Sequence, residues 1–367
     1  MANLPINVAK FGAEHNNTDL FVKFQDYFKH FSAEVNGKKY GAYDTQHSLA
    51  EKDQKIYEAF KSEVEKGANV KLTKENIPAM SQHPVVGWVT MSILDAMVEA
   101  ILPMTMIDSI GLYTELQTGG YGDSFNFRVK PNSLFVVSRG ANAQRTSFVQ
   151  KQFDGNATLV PENHAVTVEV AKYKILAGEE SLAEFARKAA LAIQTEMTKD
   201  AYAALTGAFS ASTFPQALTV TGYTATDLLG LVQKVGAYNS GIKPVVAGTP
   251  LALSHILPEG SSGYRITTPA DNMQMKLIRD FYDYDVMSLP QVATGDYTNY
   301  GTVLKDNELY ILSPGSDKLV KGALEGSTLT NTNQPDDNAN LTSNLTLNKR
   351  WQFGVITNST AGILKLQ

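Results

Sequence analysis

The side chains able to do chemistry are few and scattered. Six histidines stand at positions 15, 30, 47, 83, 164 and 255, and no His-x-x-x-His spacing sets two imidazoles on one helix face. Packing or surface roles fit them better than ligation. Asp280, Asp283 and Asp285 interleave with Phe281, Tyr282 and Tyr284. Carboxylates at that density could hold a cation or serve a metal-dependent hydrolase. No glycine-bearing calcium loop surrounds them, so a solvated corner between two elements is the better reading. Asp336-Asp337-Asn338 is discounted on the same ground. Gly119-Gly120-Tyr121-Gly122 lacks the spacing of a dinucleotide loop and reads as a hinge. The sequence has no Gly-Lys-Ser/Thr phosphate loop and no Gly-x-Ser-x-Gly elbow. The expectation is therefore no catalytic residue, no cofactor and no metal. What remains is contact chemistry. Phe24 and Phe28 lie on a helical stripe, Phe125 and Phe127 alternate along a strand beside Arg128, and Arg139, Arg145 and Lys151 punctuate a polar stretch. These are the candidate contacts with another subunit. The bland alternative for the rings is simple burial, and for the cations it is solvation.

Composition narrows the class. The chain has 367 residues, 43% hydrophobic and 19% charged, which is long for one core and suggests two lobes with extensions. A net charge of −5 argues against a protein that grips phosphates, though not against a container around nucleic acid. Cysteine is absent, which excludes disulfides and thiolate metal sites and fits a reducing cytoplasm. The start, Met1-Ala-Asn-Leu-Pro, lacks the pattern of a signal peptide. The best apolar run, Val85–Leu102, is interrupted by Ser92, Asp95 and Glu99, so no membrane span is expected.

The elements that must position these residues can be read in order. Thr18 or Asp19 caps a helix with Leu20, Phe21, Phe24, Phe28 and Phe31 at 3–4 spacing, closed by Gly37. A second helix spans about 48–66, closed by Gly67, and a third, broadly apolar, about 84–102, stopped by Pro103. The first two each carry one apolar face and need a neighbour, in this subunit or the next. A strand follows near Met104–Tyr113. Ser124–Val129 and His164–Ala171 alternate as strands and flank a polar stretch, so the region near 119–165 reads as a two-stranded arm with a polar tip. The arm runs into a helix over 182–206, about 37 Å long, with Ser181 and Glu184 as a capping box and Gly207 as its stop. Beyond it, short α and β pieces indicate a mixed lobe. Thr224 and Asp227 cap one helix, Thr249-Pro250 opens another, and Thr268-Pro269 opens a third running through Phe281. Pro244–Ala247 and Tyr284–Leu289 read as strands, Gly301–Leu312 as a hairpin, and Gly326–Asn344 as a surface loop. Strands at Trp351–Val355 and Ile363-Leu364 end the chain.

This order resembles the major capsid proteins of tailed bacteriophages with the Hong Kong 97 fold. The resemblance rests on TVEVAKYKILAGEESLAEFARKAALAIQTEMTKDAYAAL at Thr167–Leu205 and YTATDLLGLVQKVGAYNSGIKPVVAGTPLALSHIL at Tyr223–Leu257, and it covers roughly 104–367. It implies an α+β fold with four parts. An N-terminal helical arm spans 1–103. A peripheral domain with a long spine helix comprises 104–118, 166–213 and 340–367. An extended arm loop occupies 119–165, and an axial α/β domain 214–339. It further implies a chain that self-assembles, with no membrane partner, into hexamers and pentamers. These would close an icosahedral shell in the host cytoplasm around double-stranded DNA, enclosed without sequence-specific contact. Portal, a separate scaffolding protein and decoration proteins would be its partners. Lys130, Lys151 and the asparagines cannot be aligned with the family's cross-link residues, so the resemblance carries no prediction about a cross-link. The alternatives are an encapsulin-type nanocompartment shell, which would carry an enzyme as cargo, and another virion structural protein.

Overall fold

The computed structural model describes residues 19–35, 48–110, 113–129, 155–212, 214–256, 280–295, 298–315, 317–332 and 343–366. The helical elements are α1 (Asp19–Val35), α2 (Leu49–Ala68), α3 (Ile77–Ser81), α4 (Pro84–Ile110), α5 (Lys172–Ala177), α6 (Leu182–Ser210), α7 (Ala225–Tyr238) and α8 (Pro250–Leu253). The strands are β1 (Thr114–Gly119), β2 (Phe125–Val129), β3 (Gly155–Leu159), β4 (Glu162–Val170), β5 (Thr219–Thr221), β6 (Val245–Gly248), β7 (Asp280–Phe281) and β8 (Tyr284–Ser288). They continue with β9 (Glu308–Leu312), β10 (Val320–Thr332), β11 (Ser343–Val355) and β12 (Gly362–Lys365). The chain divides into two compact units. One comprises Met1–Asp108, Glu162–Glu196 and Glu325–Arg350; the other comprises Ser109–Pro161, Met197–Leu324 and Trp351–Gln367.

In the first unit, α1 and α2 pair through their apolar stripes. Leu20, Phe21, Phe24 and Phe28 of α1 and Ile56, Phe60 and Val64 of α2 are all buried. The neighbour that each helix needs is thus supplied within the chain. Ser48 and Glu51 form a reciprocal capping box at the start of α2. The helix does not stop at Gly67; it ends at Asn69, which takes the left-handed cap at φ 52°. Gly67 answers a different demand, since a Cβ there would come within 2.9 Å of Val89 on α4. Two side chains of α2 hold the elbow between α5 and α6. The Tyr57 hydroxyl donates to the Leu176 carbonyl at 2.8 Å, and Ser181 Oγ donates to Asp53 at 2.6 Å. At the start of α6 only half of the expected capping box forms. Ser181 Oγ accepts from Glu184 N at 3.1 Å, whereas the Glu184 carboxylate turns to Lys188 at 2.7 Å.

The second unit is built on a six-stranded sheet in the order β5-β12-β9-β6-β8-β7. β9 lies between β12 and β6, antiparallel to both, with Tyr310 opposite Ile363 and Ala247. Alternation sends Leu309 and Ile311 to one face and Tyr310 and Leu312 to the other. Leu228, Leu231, Val232 and Val235 of α7 cover the first face. Ala201, Tyr202, Leu205 and Phe209 of α6 cover the second. A sheet covered on both sides explains why β9 is buried at every position. Asn239, fully buried at the end of α7, ties three segments together. Its Nδ2 donates to the carbonyls of Val235 and Thr360 and to Ser313 Oγ, and its Oδ1 accepts from Thr360 N at 2.8 Å.

Several boundaries differ from the sequence expectations for identifiable reasons. Pro103 does not stop α4, which runs on to Ile110, so the expected strand at Met104–Tyr113 is mostly helix. One missing N–H and its ring cost about 3 kcal/mol in a helix interior, a cost that α4 bears at Pro103. Gly207 likewise lies inside α6; its cost of about 1 kcal/mol relative to Ala is outweighed by Phe209, which packs on Phe214 and Tyr310. Gly301–Leu312 is not a hairpin, because Glu308–Leu312 is taken up as the central strand β9, while Thr302 makes an isolated bridge to Ala293. Gly326–Thr332 is strand rather than loop, in keeping with the β-propensity of its threonines. Asp280-Phe281 is strand, not the end of a helix. The caps at Thr224 and Thr249 form as expected, accepting from Asp227 N and Ala252 N. Gly37, the Thr268-Pro269 helix start and Asp336-Asp337-Asn338 lie outside the described residues.

Candidate assembly surfaces

Among the described residues of the stretch expected as an arm, two strands pair as a short ribbon. β2 and β3 pair antiparallel with Phe125 opposite Leu159 and Phe127 opposite Ala157. The second arm strand is therefore β3. The stretch expected to return as that strand, His164–Ala171, forms β4, which joins β11 in the four-stranded sheet β1-β10-β11-β4. The entrance to the ribbon is a tight turn. Gly120 N donates to Asp123 Oδ2 at 2.6 Å, Asp123 N donates to the Gly120 carbonyl, and Gly122 takes φ 86°. Gly119 has no room for a side chain, since a Cβ would come within 2.9 Å of Asp123 and 3.1 Å of the Phe125 ring. The hinge motif thus serves as a fixed corner.

The ribbon has two chemically distinct faces. Phe125 and Phe127 are 3% and 1% exposed, and they form a small cluster with Ala323, Leu159 and Ile356. Gly354 permits that seat, because Leu159 lies 3.0 Å from where its Cβ would stand. These two rings, expected as contacts with another subunit, are covered by their own chain. The opposite face exposes Asn126, Arg128, Asn156 and Thr158, with Thr158 Oγ1 donating to Asn126 Oδ1. Of the expected contact residues on the ribbon, Arg128 is the exposed one. Arg139, Arg145 and Lys151 lie outside the described residues. Phe24 and Phe28 are buried in the α1–α2 pair. The aromatic row continues to Phe31, whose ring lies 3.9 Å from the Arg187 guanidinium carbon on α6, a cation–π contact.

Charges the sequence did not single out fix the strand that feeds the ribbon. Lys321 on β10, 2% exposed, donates to Glu115 on β1 and to Asp317, both at 2.5 Å. Thr357 Oγ1 donates to the second oxygen of Asp317 at 3.1 Å. Burial would lower the Lys321 pKa; hydrogen bonds and charge from Asp317 and Glu115 more than offset it, and the pKa is raised. Nothing in the spacing of 115, 317 and 321 announces the grouping, which only strand pairing creates.

The chemical candidates do not converge. Asp280, Asp283 and Asp285 sit on the exposed β7–β8 hairpin, and Asp283 pairs loosely with Lys243 at 3.6 Å. Among the described residues no group of three or more His, Asp or Glu side chains could hold a metal ion. His30 is buried, His83 and His255 are exposed, His164 contacts the Glu162 carbonyl, and His15 and His47 lie outside the described residues. No helix among the described residues is long and apolar enough to cross a membrane.

Comparison with known proteins gives a family. Residues 28–365 match the family described as "SPbeta prophage-derived putative capsid protein YonB". No curated protein matches the chain. Solved structures with a similar fold include the capsid of an empty GTA particle, at 12% identity and TM-score 0.48, covering 70% of this chain and 89% of that one. The Cyanophage P-SCSP1u capsid is similar at 14% identity and TM-score 0.45, covering 71% and 88%. A chain of Microbacterium phage Oxtober96 is similar at 12% identity and TM-score 0.45, covering 70% and 90%. The identification rests on the family match, which spans nearly the whole sequence: the chain belongs to this family of phage capsid proteins and is a structural component of the virion, not an enzyme.

Proposed function

We propose that copies of this chain assemble into hexamers and pentamers, and that these close an icosahedral head shell around the double-stranded DNA genome of a tailed phage. The observation that carries the reading is the two-faced β2–β3 ribbon. Its apolar face is spent on its own sheet through Phe125 and Phe127, and its outer face offers Asn126, Arg128, Asn156 and Thr158 to a neighbour. Beyond it the sequence runs into a stretch bearing Arg139, Arg145 and Lys151, which would form ion pairs on an adjacent subunit. Individually weak contacts of this kind become strong when each subunit makes several at once. The chain's net charge of −5 suits a wall that confines DNA without adhering to it. A portal, a scaffolding protein and decoration proteins are the expected further partners. The test is deletion of Gly119–Pro161 with a short linker. The variant should remain a folded, soluble subunit that builds no closed shells; normal shells from it would refute the role given to the ribbon.

A further inference from the structure

Three lysines are buried among the described residues: Lys172, Lys321 and Lys349. Two of them have partners. Lys321 lies between Glu115 and Asp317, and Lys349 Nζ donates to the Gly326 carbonyl at 2.8 Å. Lys172 is 8% exposed, and among the described residues no carboxylate, carbonyl or hydroxyl takes its ammonium. Glu180 is taken by Lys174 at 3.6 Å. Burial holds the Lys172 pKa below the ordinary lysine value, with no counter-charge to oppose it. The ammonium lies over the first turn of α4. Its Nζ stands 3.9 Å from the place that a Cβ on Gly87 would take, and, immediate chain neighbours aside, no other described side chain comes within 4 Å of that place. Gly87 is the fourth residue of α4, and its N–H donates to the His83 carbonyl at 3.0 Å. The amides of Val85 and Val86 precede that bond; they have no helix carbonyl behind them and carry the positive end of the helix dipole. A helix start alone is a common feature. Here a buried cation without a partner is aimed at it, and both favour one species, an anion, in the space left by the missing Gly87 side chain.

We propose that Lys172 and the first turn of α4 form a receptor for a carboxylate side chain presented by a second copy of this chain. The occupant follows from what the chain is. A capsid protein meets its own copies, and this one has 37 acidic residues against 32 lysines and arginines, so carboxylates are the surplus charge on any neighbour. A lone ammonium in a recess suits a point contact with one side chain, whereas a nucleic-acid backbone is gripped by a row of cations. A charge-assisted bond from Lys172, with the open amides beside it, would neutralise the buried cation only when two copies meet. Relief of the buried charge is thereby tied to contact between subunits. The identity of the occupant rests on the assembly reading above, whereas the recess itself is measurable on the unassembled subunit.

The experiment uses the full-length chain in two arms. On the unassembled subunit, Gly87→Asp places a carboxylate in the recess from within the chain. It should melt at least about 2 °C above the uncharged Gly87→Asn, and at least about half of that difference should vanish when both are made in the Lys172→Met background. Lys172→Met alone, which keeps a long side chain and drops the unpaired charge, should melt no lower than wild type. In the second arm, particle formation is followed by light scattering. Lys172→Met should need at least about ten-fold more protein than wild type to form particles. Gly87→Asp, whose own carboxylate fills the recess, should show the same loss, and Gly87→Asn should assemble more readily than Gly87→Asp. An Asp–Asn difference that persists in full without Lys172, a lower melting temperature for Lys172→Met, or its normal assembly would each overturn the proposal. Failure of the first arm with normal wild-type particles strikes the receptor alone. A wild type that forms no particles, with the first arm as expected, removes the second copy as occupant and the assembly reading with it.

Discussion

Truncating Phe127 to alanine separates a ribbon that is docked on its sheet from one that is part of a single cooperative core. The ring is 1% exposed and, with Phe125, Leu159, Ala323 and Ile356, forms the apolar seat of the ribbon among the described residues. Removing a buried Phe costs about 3–5 kcal/mol in a well-packed core. Two buried rings stabilise a seat by about 1.5–3 kcal/mol each, and a two-stranded ribbon is marginal on its own. The cost of the substitution is therefore as large as the docking energy itself. The ribbon should detach, and the loss seen in global unfolding should not exceed the docking energy, about 3–6 kcal/mol for two rings. Exchange protection in 125–129 and 155–159 should collapse while the β9 and β12 amides keep theirs. A urea midpoint on the same protein should fall by an amount within that range. If the ribbon amides stay protected while global stability drops by the full 3–5 kcal/mol, the ribbon is integral to the core and the reasoning fails.

Other outcomes follow from the same geometry. Asn239→Ala leaves Ser313 Oγ and both backbone groups of Thr360 without their buried partner, and at about 1 kcal/mol or more for each, denaturant titration should show a loss of roughly 3 kcal/mol. Alkaline unfolding should set in above pH 10, because burial of Tyr202 pushes its phenol up to about 12. The neutral phenol is favoured by folding, so this stability is fully present below the unfolded value of about 10 and disappears as pH rises towards 12, about 2–3 kcal/mol in all. A fluorescence-monitored pH titration that is flat across that range would contradict it. Arg128→Glu, on the exposed face of the ribbon, should leave the melting temperature within about 1–2 °C of wild type and depress shell formation measured by light scattering. Unaltered assembly would remove Arg128 from the interface.

Much of this architecture is legible from local rules. The caps at Thr224 and Thr249 and the alternation of Phe125 and Phe127 were correctly readable because each is set by residues within a few positions of one another. Stops read from single residues failed at Gly67, which packs against Val89, at Gly207, beside the packed Phe209, and at Pro103, which α4 runs through. The direction in which a stripe faces was not legible either. A row such as Phe24 and Phe28 has the same pattern whether it packs on its own chain or on a neighbour, and here the burial is internal. The least visible feature was the grouping of Lys321 with Glu115 and Asp317. Its members are separated by up to 206 positions, and only the pairing of β1 with β10 brings them together.

The most direct test of the central claim is negative-stain electron microscopy of the purified full-length chain, with the ratio of absorbance at 260 and 280 nm read on the same fractions. The account predicts closed icosahedral particles, tens of nanometres across by the size of such shells, built from hexamers and pentamers and free of any enzyme cargo. Nucleic acid should enter the particles when packaging components are supplied. Tubes or rings would move the chain to another part of the virion, and closed shells loaded with an enzyme would make it a nanocompartment. Small monodisperse oligomers at every concentration, with and without scaffold, would contradict the account outright.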